Sequence, residues 1–150
     1  MVNEESLKKQ LQKLPITQEN GTNFYKFLFT EAPAVRAFFK GSEEIEPDAV
    51  PSSERFQKQG VRLLLSLHLL VATANDQPLF DAYVRELMNK HNRFRGIEFG
   101  HYEAFWQIWS KFLETTTGLS AEEKKEWEGL SAAFLAIVKK HYEERDTAEV

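Results

Sequence analysis

The stretch Phe56–Leu70 reads FQKQGVRLLLSLHLL, and its spacing decides the fold class. On a helix of about 3.6 residues per turn, Phe56, Leu63, Leu67 and Leu70 share one stripe. Gln59 falls on that stripe too, between Phe56 and Leu63. An amide buried without partners costs about 1–3 kcal/mol. Either Gln59 meets an internal partner or a polar occupant of the domain, or it stands at the edge of the stripe and reaches water. Gly60 follows at once, and a mid-helix glycine costs about 1 kcal/mol relative to alanine. Such a glycine commonly admits a close neighbouring backbone. A second glycine, Gly21, begins another apolar-periodic segment, and Tyr25 lies one turn after it. A crossing at Gly21 and Gly60 would bring Tyr25 to Gln59 and point two hydrogen-bond donors into one pocket.

Outward from this stretch, helical periodicity dominates and no run alternates as a strand does. Residues Asn3 to Leu14 read as a first helix, ended by Pro15. Thr17 or Asn20 can cap a second helix that carries Phe24, Tyr25, Phe27, Leu28 and Phe29, and Pro33 interrupts it. A short turn, AVRAFF, follows, and then GSEEIEPDAV reads as an irregular loop. Pro51 is expected to open the long helix, which reaches about Ala74. Pro78 suits the first turn of the next helix, whose apolar face ends at His91 before NRFRG breaks it. A helix from Phe99 to about Thr115 is rich in aromatics. Ser120 with Glu123 forms a capping box for a last helix to about Tyr142, with a polar, frayed tail from about 143. The expectation is one all-α domain over residues 1–150, with six substantial helices and one or two short ones.

Composition narrows the function. Net charge is −4 and no basic stripe of the kind that tracks phosphates is present, so nucleic acid is not expected as a partner. The longest apolar run, Leu63 to Ala74, is broken by Ser66, His68 and Thr73 and is far short of a membrane span. The start, MVNEESLKK, lacks an apolar signal core, and the chain has no cysteine. These features read as cytoplasmic. Aromatics reach 13%, with twelve Phe, which suits a crowded core or a flat ligand equally well.

Four histidines are present. His91 continues the apolar face of Val84, Leu87 and Met88 at the last turn of its helix. A structural histidine is favoured there by the helix dipole, so position alone does not make it a ligand. His68 reads as a partly buried core residue, and His101 and His141 as surface residues. No HExxH spacing, phosphate-binding glycine loop or nucleophile elbow occurs.

Taken in order, these residues resemble the globin family, over essentially the whole chain from about Ser6 to Tyr142. The fragments NFYKFLFTEAPAVRAFFK, SERFQKQGVRLLLSLHLL and YVRELMNKH are most similar to nematode globins. The resemblance implies a globin fold of six to eight helices enclosing haem b (iron protoporphyrin IX). It implies that His91 is the proximal iron ligand and that Gln59 occupies the distal position, with Leu63 one turn on beside the ligand. It makes Phe39 the phenylalanine that packs on the haem, and places Leu87, Ile97, Tyr102 and Phe105 along the haem wall. Tyr25 stands where Leu or Phe is usual, and Gln59 where His is usual. Nematode globins often share this Tyr–Gln pair.

The resemblance implies a myoglobin-like protein that binds dioxygen reversibly for transport, storage or facilitated diffusion. Carbon monoxide and nitric oxide are further candidate ligands, and the chain is expected as a monomer or homodimer. The His91 Nδ1–H should donate to the Leu87 carbonyl one turn earlier. Tyr25 and Gln59 would both donate to dioxygen and slow its release. Arg62 either covers the pocket mouth or pairs with a haem propionate, or it is simply solvated. The alternative is a haem enzyme, a nitric oxide dioxygenase served by an external reductase, or a gas or redox sensor. Peroxidase chemistry is disfavoured because Gln59 offers no useful acid or base.

Overall fold

In the computed structural model, residues 2–91 and 96–148 are described, without the side chains of the last three. Every regular element among them is helical. The α-helices are α1 (Glu4–Gln12), α2 (Gln18–Glu31), α3 (Glu54–Thr73), α4 (Gln77–His91), α5 (Phe99–Thr116) and α6 (Ala121–Ala148). Two 3₁₀ helices, Pro33–Phe38 and Pro47–Ser52, join α2 to α3.

Local chemistry sets the starts. Asn3 caps α1 by accepting from the Ser6 N–H, and Thr17 caps α2 by accepting from that of Asn20. Asp76 Oδ1 accepts from the Leu79 N–H and opens α4, with Pro78 in the first turn. The Ser120–Glu123 box is reciprocal, at 2.9 and 3.1 Å. Three expectations need correction. The long helix opens at Glu54, not Pro51, because Ser53 supplies the cap oxygen to Phe56 N–H. Pro51 instead lies in the second 3₁₀ helix, so only the first half of GSEEIEPDAV is irregular. Helix α6 continues past Tyr142 to Ala148. There the Arg85 guanidinium of α4 pairs with Glu144 at 2.8 Å, which ties this polar turn to the body, and within the helix Arg145 stacks 4.3 Å over the Tyr142 ring.

The core runs between α2, α3, α5 and α6. Phe24 is its aromatic hub, with ring centroids 5.2–5.8 Å from Tyr25, Phe105, Trp109 and Phe112. Trp109 meets Trp127 of α6 at 5.7 Å, and the Trp127 indole N–H donates to the buried Gln10 of α1. Among the described residues, Trp106 Nε1, Trp109 Nε1 and Ser110 Oγ are buried without a hydrogen-bond partner in the protein. Each such group costs about 1–3 kcal/mol.

Helix α3 carries two adjacent stripes rather than one. Phe56, Gly60, Leu64, Leu67 and Val71 are fully buried, whereas Gln59 and Leu63 are half-buried beside them. The second stripe faces a cavity.

Candidate functional site

The cavity begins at the crossing of α2 and α3. A Cβ placed on Gly21 would lie 2.4 Å from the Gly60 carbonyl carbon, and the converse distance is also 2.4 Å. The two backbones therefore touch, and only glycine fits on either side. Tyr25, one turn after Gly21, is 5% exposed and is packed by Phe29, Phe39 and Phe56 at ring distances of 5.3–5.9 Å. Burial pushes its hydroxyl up to about 12, and a hydrogen bond from the Gln59 side chain pulls the other way. At neutral pH the Tyr25 hydroxyl is therefore protonated and able to donate.

Phe39 leaves the first 3₁₀ helix half-buried and closes over this cluster, 5.6 Å from Phe29 and 5.3 Å from Phe56. The guanidinium of Arg55 caps its outer face at 5.7 Å.

The last turn of α4 supplies His91. Its Nδ1 lies 2.6 Å from the Leu87 carbonyl oxygen. A carbonyl only accepts, so Nδ1 carries the hydrogen and Nε2 carries the ring lone pair. The acceptor is the residue that the i−4 spacing predicted. The ring of Tyr102 meets His91 edge-on at 5.9 Å. Burial, and then the neighbouring Tyr142, push the Tyr102 hydroxyl far above its ordinary range. Tyr142 in turn donates to the Ile97 carbonyl at 3.1 Å, so the end of α6 braces the segment after α4.

Tyr25, Phe39, Leu87, His91, Ile97 and Tyr102 line one cavity of about 440 Å³. It gathers every residue singled out from the sequence: Tyr25, Phe39, Gln59, Arg62, Leu63, Leu87, His91, Ile97, Tyr102 and Phe105. Arg62 and Lys90, both exposed, stand on its wall. Sequence reasoning missed several lining residues. His101, read as surface, is exposed, but its Nδ1 accepts from the Glu98 N–H at 2.9 Å and its ring abuts Phe38 at 5.1 Å. The Glu98–His101 offset at the start of α5 was the available signal. Trp106 and Ile108 also reach the cavity, on the face that Phe105 announces. His68 behaves as expected: half-buried, with Nδ1 2.8 Å from the Leu64 carbonyl. His141 is half-buried rather than a plain surface residue, its ring 6.2 Å from Tyr142. Most of NRFRG, residues 92–95, lies outside the described residues; Gly96 has φ +91.

Among the described residues no three His, Cys, Asp or Glu side chains gather as a metal cluster, and no helix is long and apolar enough to cross a membrane. An apolar cavity with the His91 imidazole oriented by the Leu87 carbonyl suits a flat prosthetic group better than a bare ion.

The chain belongs to the globin family, whose model matches residues 22–141. Its likeness to nematode members is specific. It is 41% identical over 114 residues to the myoglobin of Nippostrongylus brasiliensis, covering 76% of this chain and 73% of that one. It is 42% identical over 118 residues to the cuticular globin isoform of the same worm, covering 77% and 68%. Among solved structures, the globin-like protein of Caenorhabditis elegans superposes with a TM-score of 0.91 at 32% identity, over 95% of this chain and 93% of that one.

Proposed function

We propose that this chain is a haem protein that binds dioxygen reversibly and releases it slowly, for storage or facilitated diffusion. One observation carries the reading. The cavity that receives a histidine with its Nε2 lone pair fixed by the Leu87 carbonyl also receives the Tyr25–Gln59 pair.

The donor set fits haem b. His91 would hold the iron through Nε2, a usual haem ligation. Phe39, Leu63, Leu87, Ile97, Tyr102 and Phe105 would give apolar surface for the macrocycle, and Arg62 and Lys90 on the cavity wall would supply cations for its carboxylates. Haem, when bound, supplies the iron that takes up dioxygen.

The protein's own contribution is retention. The Tyr25 hydroxyl and the Gln59 amide are donors, and dioxygen in this pocket draws negative charge. A charge-assisted hydrogen bond contributes about 1.5–3 kcal/mol. Each 1.4 kcal/mol or so is a tenfold change, so one donor accounts for about a ten- to hundredfold slower release. Leu87 fixes the plane and tautomer of His91, and Tyr102 limits rotation of its ring. The absence of cysteine suits a reducing, cytoplasmic setting.

Stopped-flow oxygen release from Tyr25→Phe tests the reading. Phe keeps the aromatic packing and removes only the hydroxyl. Release should quicken by at least about tenfold. Release at the unaltered rate in both Tyr25→Phe and Gln59→Leu would refute the donor pair.

A further inference from the structure

A second cavity, a cleft of about 570 Å³ between α5 and α6, opens on the far side of the aromatic core. One residue, Trp106, lines both this cleft and the cavity of His91. Among the described residues it is the one that borders both. Trp106 is 5% exposed, with ring contacts to Phe105 at 5.5 Å and Phe134 at 5.3 Å. Its N–H has no partner in the protein, nor has the hydroxyl of Ser110, one turn further along α5 and on the cleft wall. The cleft mouth is polar, bordered by the Lys124–Glu114 ion pair at 3.0 Å.

An indole in this position is fastened poorly for a buried tryptophan. No protein group accepts from its N–H where it stands, and a turn toward the cleft would let the N–H reach water and Ser110. The same turn would join the two cavities. Leu135, Ser131 and Ala132 on the α6 side of the cleft are short or half-exposed and leave room for it.

Resting on the dioxygen-binding reading, we infer that the α5–α6 cleft is a second port for small apolar gases and that Trp106 is its door. Dioxygen then reaches the cavity by a path that does not pass Gln59 or Arg62. A door on a path changes arrival and departure by the same factor and leaves affinity unaltered, whereas a change in the Tyr25–Gln59 pair alters affinity. This separates the port from the binding site.

Two measurements on the haem-loaded protein test it, the first with carbon monoxide bound and the second with dioxygen. The first is hydrogen exchange of the tryptophan indole N–H groups by ¹⁵N NMR. Trp109 is the internal control, since its N–H is equally buried and unpartnered but it lines neither cavity. The Trp106 N–H should exchange about tenfold faster or more than that of Trp109. The second is association and dissociation of dioxygen in Ala132→Trp, which fills the cleft from its exposed wall without touching the main cavity. Both rates should fall together, by about threefold, with their ratio preserved. Equal exchange of the two indoles, or rates that ignore Ala132→Trp, would overturn the port. Failure of the dioxygen reading is a distinct result: the unaltered protein would take up no oxygen at all.

Discussion

Replacing Gly60 by alanine should damage both stability and oxygen retention, and the coordinates set the scale. The new Cβ would sit 2.4 Å from the Gly21 carbonyl carbon, 2.6 Å from its Cα and 2.8 Å from its oxygen. Ordinary contacts begin at 3.4 Å, so α2 and α3 must part by about 1 Å (3.4 − 2.4). Every atom struck is backbone, and no rotamer relieves the clash. Overpacking of this kind costs about 1–3 kcal/mol, and the better helix propensity of alanine returns about 1 kcal/mol. The net loss is about 0–2 kcal/mol, and at roughly 2–4 °C per kcal/mol for this size the melting temperature falls by at most about 8 °C. The functional effect is more diagnostic. Hydrogen bonds tolerate only a few tenths of an ångström around about 2.7–3.2 Å. Parting the helices draws Tyr25 away from Gln59, so oxygen release should approach the rate of Tyr25→Phe. Thermal unfolding by circular dichroism and stopped-flow release measure the two effects. A Gly60→Ala protein that melts no lower and holds oxygen as long as the parent would refute the role given to this crossing.

Tyr25, pushed up to about 12, and Tyr102, also raised, keep their protons in the folded chain at pH values where the unfolded chain loses them. Their contribution to stability is intact below about pH 10 and is lost as the pH rises through the folded values. Urea midpoints should fall from pH 10 towards 12, less steeply in Tyr25→Phe. Gln10→Leu would strand the Trp127 indole N–H in the core and should cost about 1–3 kcal/mol in chemical unfolding. Ser120→Ala breaks the reciprocal cap of α6 and should cost about 0.5–2 kcal/mol by the same measurement, with oxygen release unchanged.

Gln10 also shows how far the sequence can be read. It stands three residues after Leu7 and four before Leu14, the same placement in an apolar stripe that drew attention to Gln59. Yet Gln10 is 3% exposed, donates to Ser6 and accepts from Trp127, and so closes a tie between α1 and α6. Gln59 instead faces the cavity. Position in the stripe cannot separate the two outcomes; the neighbouring Gly60, matched by Gly21 ahead of Tyr25, does. The helices themselves were legible because their apolar faces repeat and their caps are short polar residues. Pro51 misled because a proline suits the start of an α-helix and a 3₁₀ turn alike, and the cap oxygen of Ser53 decides between them. The last turns of α6 carry no apolar period; the ion pair of Glu144 with Arg85 on α4 ties them to the body. Trp106 was legible as core but not as a wall between two cavities, because that depends on how α5 and α6 diverge.

The absorption spectrum of the purified, reduced protein with haem, before and after oxygen is admitted, tests the central claim most directly. With His91 as the one protein ligand, the ferrous spectrum is expected to be five-coordinate and to convert fully and reversibly when oxygen enters. A protein that acquires no haem absorbance after haemin is added, or one whose reduced spectrum is already six-coordinate without added ligand, would contradict it.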